Sequence, residues 1–261
     1  MSKISVIISS MKQAKDIKNK VDAYLIPLKE LSINYPNTFR VEEIKELKKL
    51  NKELFVFINK NIHNNEIDKL KEALEKIEKL NINGIIFYDI ALVELKTELK
   101  LKTDLVWHQE HMTTNYATAN YWYDKGVKYT YLSSELTKRE IKEIKEKAKG
   151  KIFVNTFGYI PMFTSRRHLV NNYLDTFSLK ESGNKIYKEG KYYFINDLEE
   201  GTSVYSNYIL NIKEDIDADY IVFNSNLIDE KDFIEILKDY KNNKFKEETG
   251  FLYQETIYKV K

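Results

Sequence analysis

The chain has 261 residues, 43% of them hydrophobic and 31% charged, a composition of globular proteins rather than disordered or fibrous ones. Cysteine is absent, which excludes a disulfide, a thiolate zinc site, a catalytic cysteine and a cysteine-ligated iron–sulfur cluster supplied by this chain. With 42 Lys+Arg against 40 Asp+Glu the formal charge is +2, a balance that demands neither nucleic acid nor an acidic membrane as partner.

The opening MSKISVIISSMKQAK holds only about five consecutive apolar residues and then lysines, so it reads as a buried strand and not as a signal peptide. Nowhere do roughly 18 apolar residues run uninterrupted, as a membrane span would need, and a cytoplasmic location is expected. From there, β-rich runs alternate with charged stretches of helical period. The predicted strands are ISVII (4–8), AYLIPL (23–28), ELFVFIN (53–59), GIIFYD (84–89), DLVWHQ (104–109), KYTYLS (128–133), KIFVNTF (151–157) and DYIVFN (219–224). Most are apolar throughout, as strands are when helices cover both faces of a parallel sheet.

Between them, Ile67, Leu70, Leu74, Ile77 and Leu80 recur at three- and four-residue steps and predict the clearest helix. Val41, Ile44, Leu47 and Leu50 predict another, as do Ile141 with Ile144, and Phe233, Ile236, Leu237 and Tyr240. Thr137 followed by Glu140 is a capping-box signal, and Gly150 suits the end of the helix that box begins. Eight β-then-α units predict a TIM-barrel-like (β/α)₈ barrel built by right-handed crossovers. An open doubly wound sheet is the competitor, but the first strand is not followed by a glycine-rich turn. The regularity breaks at residues 178–211, where tyrosine-rich runs near Gly190 and Gly201 predict a small β-rich insertion before the last strand. The tail, 245–261, has the same β-rich character and is expected to pack against the insertion. No Pro/Gly/Ser linker interrupts the chain, so residues 1–261 are read as one domain.

All four histidines fall after strands: His63 after the third, His108 and His111 at the end of the fifth, and His168 after the seventh. In a barrel these ends form the C-terminal rim, where active sites gather. Asn59, Asp89, Gln109, Ser133, Glu135, Asn155 and Asn224 end strands at the same rim. Strand ends are also polar simply because they meet water, but the coincidence of every histidine favours a site. The HQEH run at 108–111 lacks the spacing of the helical zinc motif, so hydrogen-bonding or proton-transfer histidines are expected there, with no metal. Only four arginines occur, and Arg166 and Arg167 sit beside His168. Such a pair suits bidentate recognition of a carboxylate or phosphate, or else an ordinary ion pair at a helix start. Tyr116, Tyr121, Trp122 and Tyr123 cluster without a basic stripe and are read as core or interface.

The segment FVNTFGYIPMFTSRRHLVNNY (153–173) resembles the signature region of peptidase family U32, the collagenase-like proteins. NTF (37–39), FIN with His63 and Glu66, the YD of the fourth strand, WHQEHMTTN (107–115), LSSEL (132–136) and TGFLYQETIYKVK resemble further stretches of that family, in order. The resemblance implies a TIM-barrel-like domain. It also implies either collagen breakdown or hydroxylation, of wobble uridine in tRNA to 5-hydroxyuridine with prephenate implicated, or of ubiquinone precursors. Several hydroxylation members hold a four-iron cluster through cysteines. Here Phe153 replaces an acidic residue of the signature, and Pro161 and His168 stand where cysteines do. No cofactor is therefore expected, and the chain fits the short cluster-free relatives that accompany a longer paralogue in low-GC bacteria. The leading expectation is a component of tRNA uridine hydroxylation that binds a small anionic metabolite through Arg166, Arg167 and His168. In it, Asn59, His63, Gln109, Asn115 and Asn155 line the rim, and His108 or His111 transfers a proton. One alternative is a hydrolase in which Asp89 or Glu135 activates water. The other is a noncatalytic partner of the longer paralogue, joined through 178–211 and the tail.

Overall fold

The computed structural model describes residues 2–180 and 183–254. β1 (Lys3–Ile7), β2 (Ala23–Pro27), β3 (Glu53–Ile58), β4 (Gly84–Phe87), β5 (Asp104–His108), β6 (Tyr129–Tyr131) and β7 (Lys151–Gly158) pair side by side, all parallel. The chain then leaves the ring for β8 (Pro161–Ser165), β9 (Lys185–Lys188), β10 (Lys191–Leu198), β11 (Gly201–Tyr205) and β12 (Leu210–Asn211). It returns as β13 (Tyr220–Asn224), parallel to both β7 and β1, and this strand closes the barrel. Every ring strand coincides with one of the predicted runs to within a few residues.

Among the described residues, seven helices cover the barrel: α1 (Met11–Ile17), α2 (Val41–Leu47), α3 (Ile67–Glu78), α4 (Ala91–Glu98), α5 (Tyr116–Asp124) and α6 (Lys138–Lys147), with α8 (Glu230–Lys238) after β13. The remaining one, α7 (Leu169–Phe177), belongs to the excursion after β7 and buries no side chain. The alternation of each strand divides the core in two. Phe55, Phe57, Val106, Tyr131, Phe153 and Tyr220 fill the barrel interior. Their strand neighbours Val56, Leu105, Ile152 and Ile221 pack outward under the helices, against residues such as Leu70, Leu74 and Ile77 of α3. Each such aliphatic side chain contributes roughly 1.5–3 kcal/mol of transfer free energy on burial. The interior is unusually aromatic: Phe153 stacks on Tyr220 with centroids 4.2 Å apart and planes 6° from parallel. The position where the family signature carries an acid is thus a packed core position in this chain.

Thr137 caps α6 as predicted, with Glu140 returning a carboxylate oxygen to the Thr137 amide at 2.8 Å. Gly150 does not cap that helix, which ends through the extended Ala148. Its role is close approach, because a Cβ there would lie 2.6 Å from the Lys128 carbonyl. The insertion is larger than the expected 178–211. β8 pairs with β11, β11 with β10 and β10 with β9, making a four-stranded antiparallel sheet whose first strand starts at Pro161. Residues 245–254 form turns and not the expected strand, apart from one antiparallel bridge between Asn211 and Glu248. Leu252 anchors this segment in the core, and its carbonyl accepts from the Lys138 amide at the start of α6. Residues 255–261 of the expected tail lie outside the described residues. Among the described residues no helix is long and apolar enough to cross a membrane.

Candidate functional site

A cavity of about 230 Å³ opens at the C-terminal ends of β5, β6, β7 and β13. Ring strands supply its floor through Ile7, His108, Tyr131, Asn155 and Asn224. The far wall is Ile160–Met162 at the start of the insertion, Ser206–Tyr208 at its end, and Phe251 of the tail. The insertion and tail therefore complete a site that the barrel only begins.

His108 ends β5 and is 6% exposed. Its ring lies 4.4 Å from Tyr131 and 5.8 Å from Phe57, centroid to centroid, and its Nδ1 has no hydrogen-bond partner among the described residues. Burial, reinforced by the neighbouring His111, lowers its pKa to about 3, so the ring is neutral. His111 sits at the mouth, its Nδ1 3.2 Å from Glu135 Oε1, with both side chains about half exposed. Beside them the Tyr131 hydroxyl donates to Asn155 Oδ1 at 2.6 Å, and Asn155 Nδ2 donates to Ser134 Oγ at 2.8 Å. Burial raises the Tyr131 phenol far above its ordinary value, so it is a fixed donor.

Glu110 also faces the cavity and was not singled out from the sequence. Its Oε1 accepts from Asn34 Nδ2 at 2.7 Å, in the β2–α2 connection. Burial pushes its carboxyl up to about 7, and the Asn34 hydrogen bond acts in the opposite direction. Asn34 is buried with φ +73°, a left-handed conformation that asparagine tolerates. Its Oδ1 accepts from Thr164 Oγ1 and Ser203 Oγ, both at 2.7 Å, and its carbonyl accepts from the Tyr205 hydroxyl at 2.7 Å.

The arginines lie elsewhere. Arg166 forks onto Glu66, Nη1 to Oε2 at 2.7 Å and Nη2 to Oε1 at 2.9 Å, and also donates to the Asn61 carbonyl. Chiefly through that guanidinium, Glu66 is held at about 2. Glu66 also meets the buried Lys60 at 3.0 Å, and Lys60 reaches on to Glu200 in the insertion. His168 Nδ1 is 2.8 Å from Asp197 Oδ1. Arg166 therefore makes the ion-pair alternative and latches the insertion to the barrel, His168 bonds to Asp197 within the insertion, and Arg167 is exposed and borders none of these cavities.

The other predicted residues separate in the same way. Asn59 closes a two-way bond with the Ile33 backbone and borders a smaller cavity of about 100 Å³ with Lys60 and Arg166. His63 is an exposed residue at the start of the turn leading to α3. Gln109 borders neither cavity, and Asn115 caps α5 by accepting from the Thr118 amide at 2.8 Å. Asp89 spends both oxygens on backbone amides, Oδ2 on Ile62 and Oδ1 on Ala91, and is absent from the rim cavity. Of the predicted set, the structure brings together His108, His111, Glu135, Asn155 and Asn224. It adds Glu110, Asn34 and Tyr131. Glu110 could have been suspected from the HQEH run itself, but Asn34, in an unremarked turn, gave no signal. Among the described residues no three of His, Asp or Glu converge as a metal site.

The family model described as Peptidase family U32 matches residues 9–250. The chain belongs to peptidase family U32. This U32 protein is 27% identical to a Bacillus subtilis protein named tRNA hydroxylation protein P2, over 90% of this chain and 92% of that one. It is 25% identical to tRNA hydroxylation protein P1 of the same organism, over 53% of this chain but only 34% of that longer one. Among solved structures, a U32 peptidase superimposes with a TM-score of 0.57 at 11% identity, covering 86% of this chain and 92% of that one, which speaks for the fold alone.

Proposed function

We propose that this U32 protein is a component of tRNA uridine hydroxylation and that the rim cavity is its working site. The observation that carries the reading is the end-to-end correspondence with tRNA hydroxylation protein P2. The cavity's chemistry supports it: a neutral imidazole, a His111–Glu135 pair open to solvent and a carboxyl balanced near neutrality provide proton donors and acceptors on several sides of one bound group. A dicarboxylate such as prephenate is poorly matched to this cavity, which among the described residues is lined by Glu110 and Glu135 and by no lysine or arginine. Capture of the anion through Arg166 and His168 would require breaking their bonds to Glu66 and Asp197.

Nucleoside mass spectrometry of total tRNA tests the reading, in the source strain with and without the gene, restored by wild type or by His111→Ala. Loss of 5-hydroxyuridine-derived nucleosides on deletion, rescued by wild type only, is expected. An unchanged profile in a strain lacking any redundant paralogue would overturn it. An accessory role beside a longer paralogue has one observation of its own. The insertion exposes Tyr173 (57%), Phe177 (60%) and Tyr187 (63%), and α7, which carries the first two, buries no side chain. Co-expression with that paralogue should then give a complex that Tyr173→Asp with Phe177→Asp abolishes.

A further inference from the structure

We propose that Glu110 is the proton-exchanging group of the rim cavity and that Asn34 is the residue that positions it. The inference stands on the cavity alone and holds whichever reaction the cavity serves. It begins with the amide. The two Asn34 side-chain atoms are interchangeable in shape but not in chemistry, and an ionised Glu110, which can only accept, favours the amide nitrogen on its side. Thr164 and Ser203 both direct hydroxyl donors at Oδ1 from the insertion sheet, and Nδ2 faces Glu110, where it can only donate. Tyr205 pins the same residue through its backbone carbonyl. One carboxylate oxygen of Glu110 is thereby held at 2.7 Å, and among the described residues the other has no hydrogen-bond donor. That second oxygen is the one available to a guest in the cavity.

The groups around Glu110 do not compensate a full negative charge. From the β2–α2 connection come Tyr35 and Asn34; from β5 and its continuation, neutral His108 and the Glu135-paired His111; from β6, Tyr131; and from β11, Tyr205. Glu110 also borders the smaller cavity, whose cations Lys60 and Arg166 are matched by Glu66 and Glu200. A carboxylate given one neutral amide donor and aromatic walls is costly to ionise, and one given several donors or a cation would be locked as an anion. The single amide bond places the group between these limits, where it can both give and take a proton near neutral pH. The insertion thus sets the protonation of a barrel residue through two hydroxyls and one amide.

The test is the titration of the Glu110 carboxyl in purified full-length protein, by ¹³C NMR with carboxyl-labelled glutamate, its signal assigned by its loss in Glu110→Gln. The expected midpoint is near neutrality, and Asn34→Ala should raise it by about half a unit or more because the only donor is gone. If Asn34→Ala does not fold, Thr164→Val combined with Ser203→Ala frees the amide to turn its oxygen toward Glu110, and the midpoint should rise in the same direction. A residue that merely packs the loop would leave the midpoint unmoved in both. A wild-type midpoint in the ordinary carboxylate range, or one insensitive to these changes, would overturn the proposal.

Discussion

Replacing Glu110 by glutamine should uncover a pH dependence of stability that the wild type conceals. His108, buried at the end of β5, titrates at about 3 in the native state against 6.5 in an unfolded chain. As pH falls below 6.5 the unfolded chain takes a proton that the native protein refuses, so this residue costs about 1.4 kcal/mol of stability per pH unit. Glu110 has the opposite sign. Its native carboxyl titrates at about 7 against 4.5, so from 7 down to 4.5 the native state holds a proton that the unfolded chain lacks, and stability rises as pH falls. Between pH 6.5 and 4.5 the two slopes nearly cancel. Glu110→Gln removes one arm, and the variant should lose about 2 kcal/mol relative to wild type across that window. His108→Phe should shift the difference the other way. All remaining groups titrate alike in wild type and variant, so the comparison isolates the pair. Urea unfolding at pH 6.5, 5.5 and 4.5, followed by fluorescence of the buried Trp107, measures it. Parallel pH profiles for wild type and Glu110→Gln would refute the reasoning.

Arg166→Lys exchanges a two-bond fork onto Glu66 for a single contact. It should cost about 1 kcal/mol at pH 7 by denaturant unfolding, given that the pair is partly solvated. Because Glu66 is depressed from 4.5 to about 2, that cost should be full above pH 4.5 and fade as pH falls toward 2. Gly158→Ala should destabilise by more than about 3 kcal/mol, because at φ +115° its new Cβ would lie 2.4 Å from the Asn224 carbonyl. Gly183→Ala, at φ +94° but with nothing within 4 Å among the described residues, should cost only about 1–2 kcal/mol, and melting temperatures of the two variants check the contrast. Thr137→Ala opens the capping box of α6 and should cost about 1 kcal/mol in urea unfolding.

The barrel was legible because its strands are apolar on both faces, which makes each a short run that stands out against lysine- and glutamate-rich neighbours. α3 and α6 were legible for a related reason, since a single apolar stripe stands on an otherwise charged surface. α1, α4 and α5 were not marked: α1 buries Gln13 and Ala14 beside a single large apolar residue, Ile17, and α5 buries little besides Ala119. At the site, strand ends fixed the neighbourhood of His108, His111, Glu135 and Asn155, since position along a barrel strand determines which rim a residue meets. Arg166, His168 and Asp89 have the same local credentials, and their fate was decided by long-range partners. Glu66 and Asp197 lie 100 and 29 residues from the side chains they hold, and no local pattern connects them.

That separation also explains why the insertion carries so much of the site. A closed barrel of this size is filled by its own side chains, here Phe55, Phe153 and Tyr220, so a guest can only sit above them. Depth must then come from whatever stands on the rim. In this chain the connection after β7 supplies it: Pro161 and Met162 leave the barrel along one wall, Ser206 and Tyr208 return along another, and the ion pairs Arg166–Glu66 and Lys60–Glu200 fasten the sheet between them. The two arginine-side contacts thus act at one remove from the cavity, holding the wall from which Thr164 and Ser203 orient Asn34 against Glu110. Weakening Arg166–Glu66 should consequently loosen that wall and move the Glu110 titration, although neither residue touches the rim cavity. Arg166→Lys with an unchanged Glu110 midpoint would show instead that the Asn34 network holds without the latch.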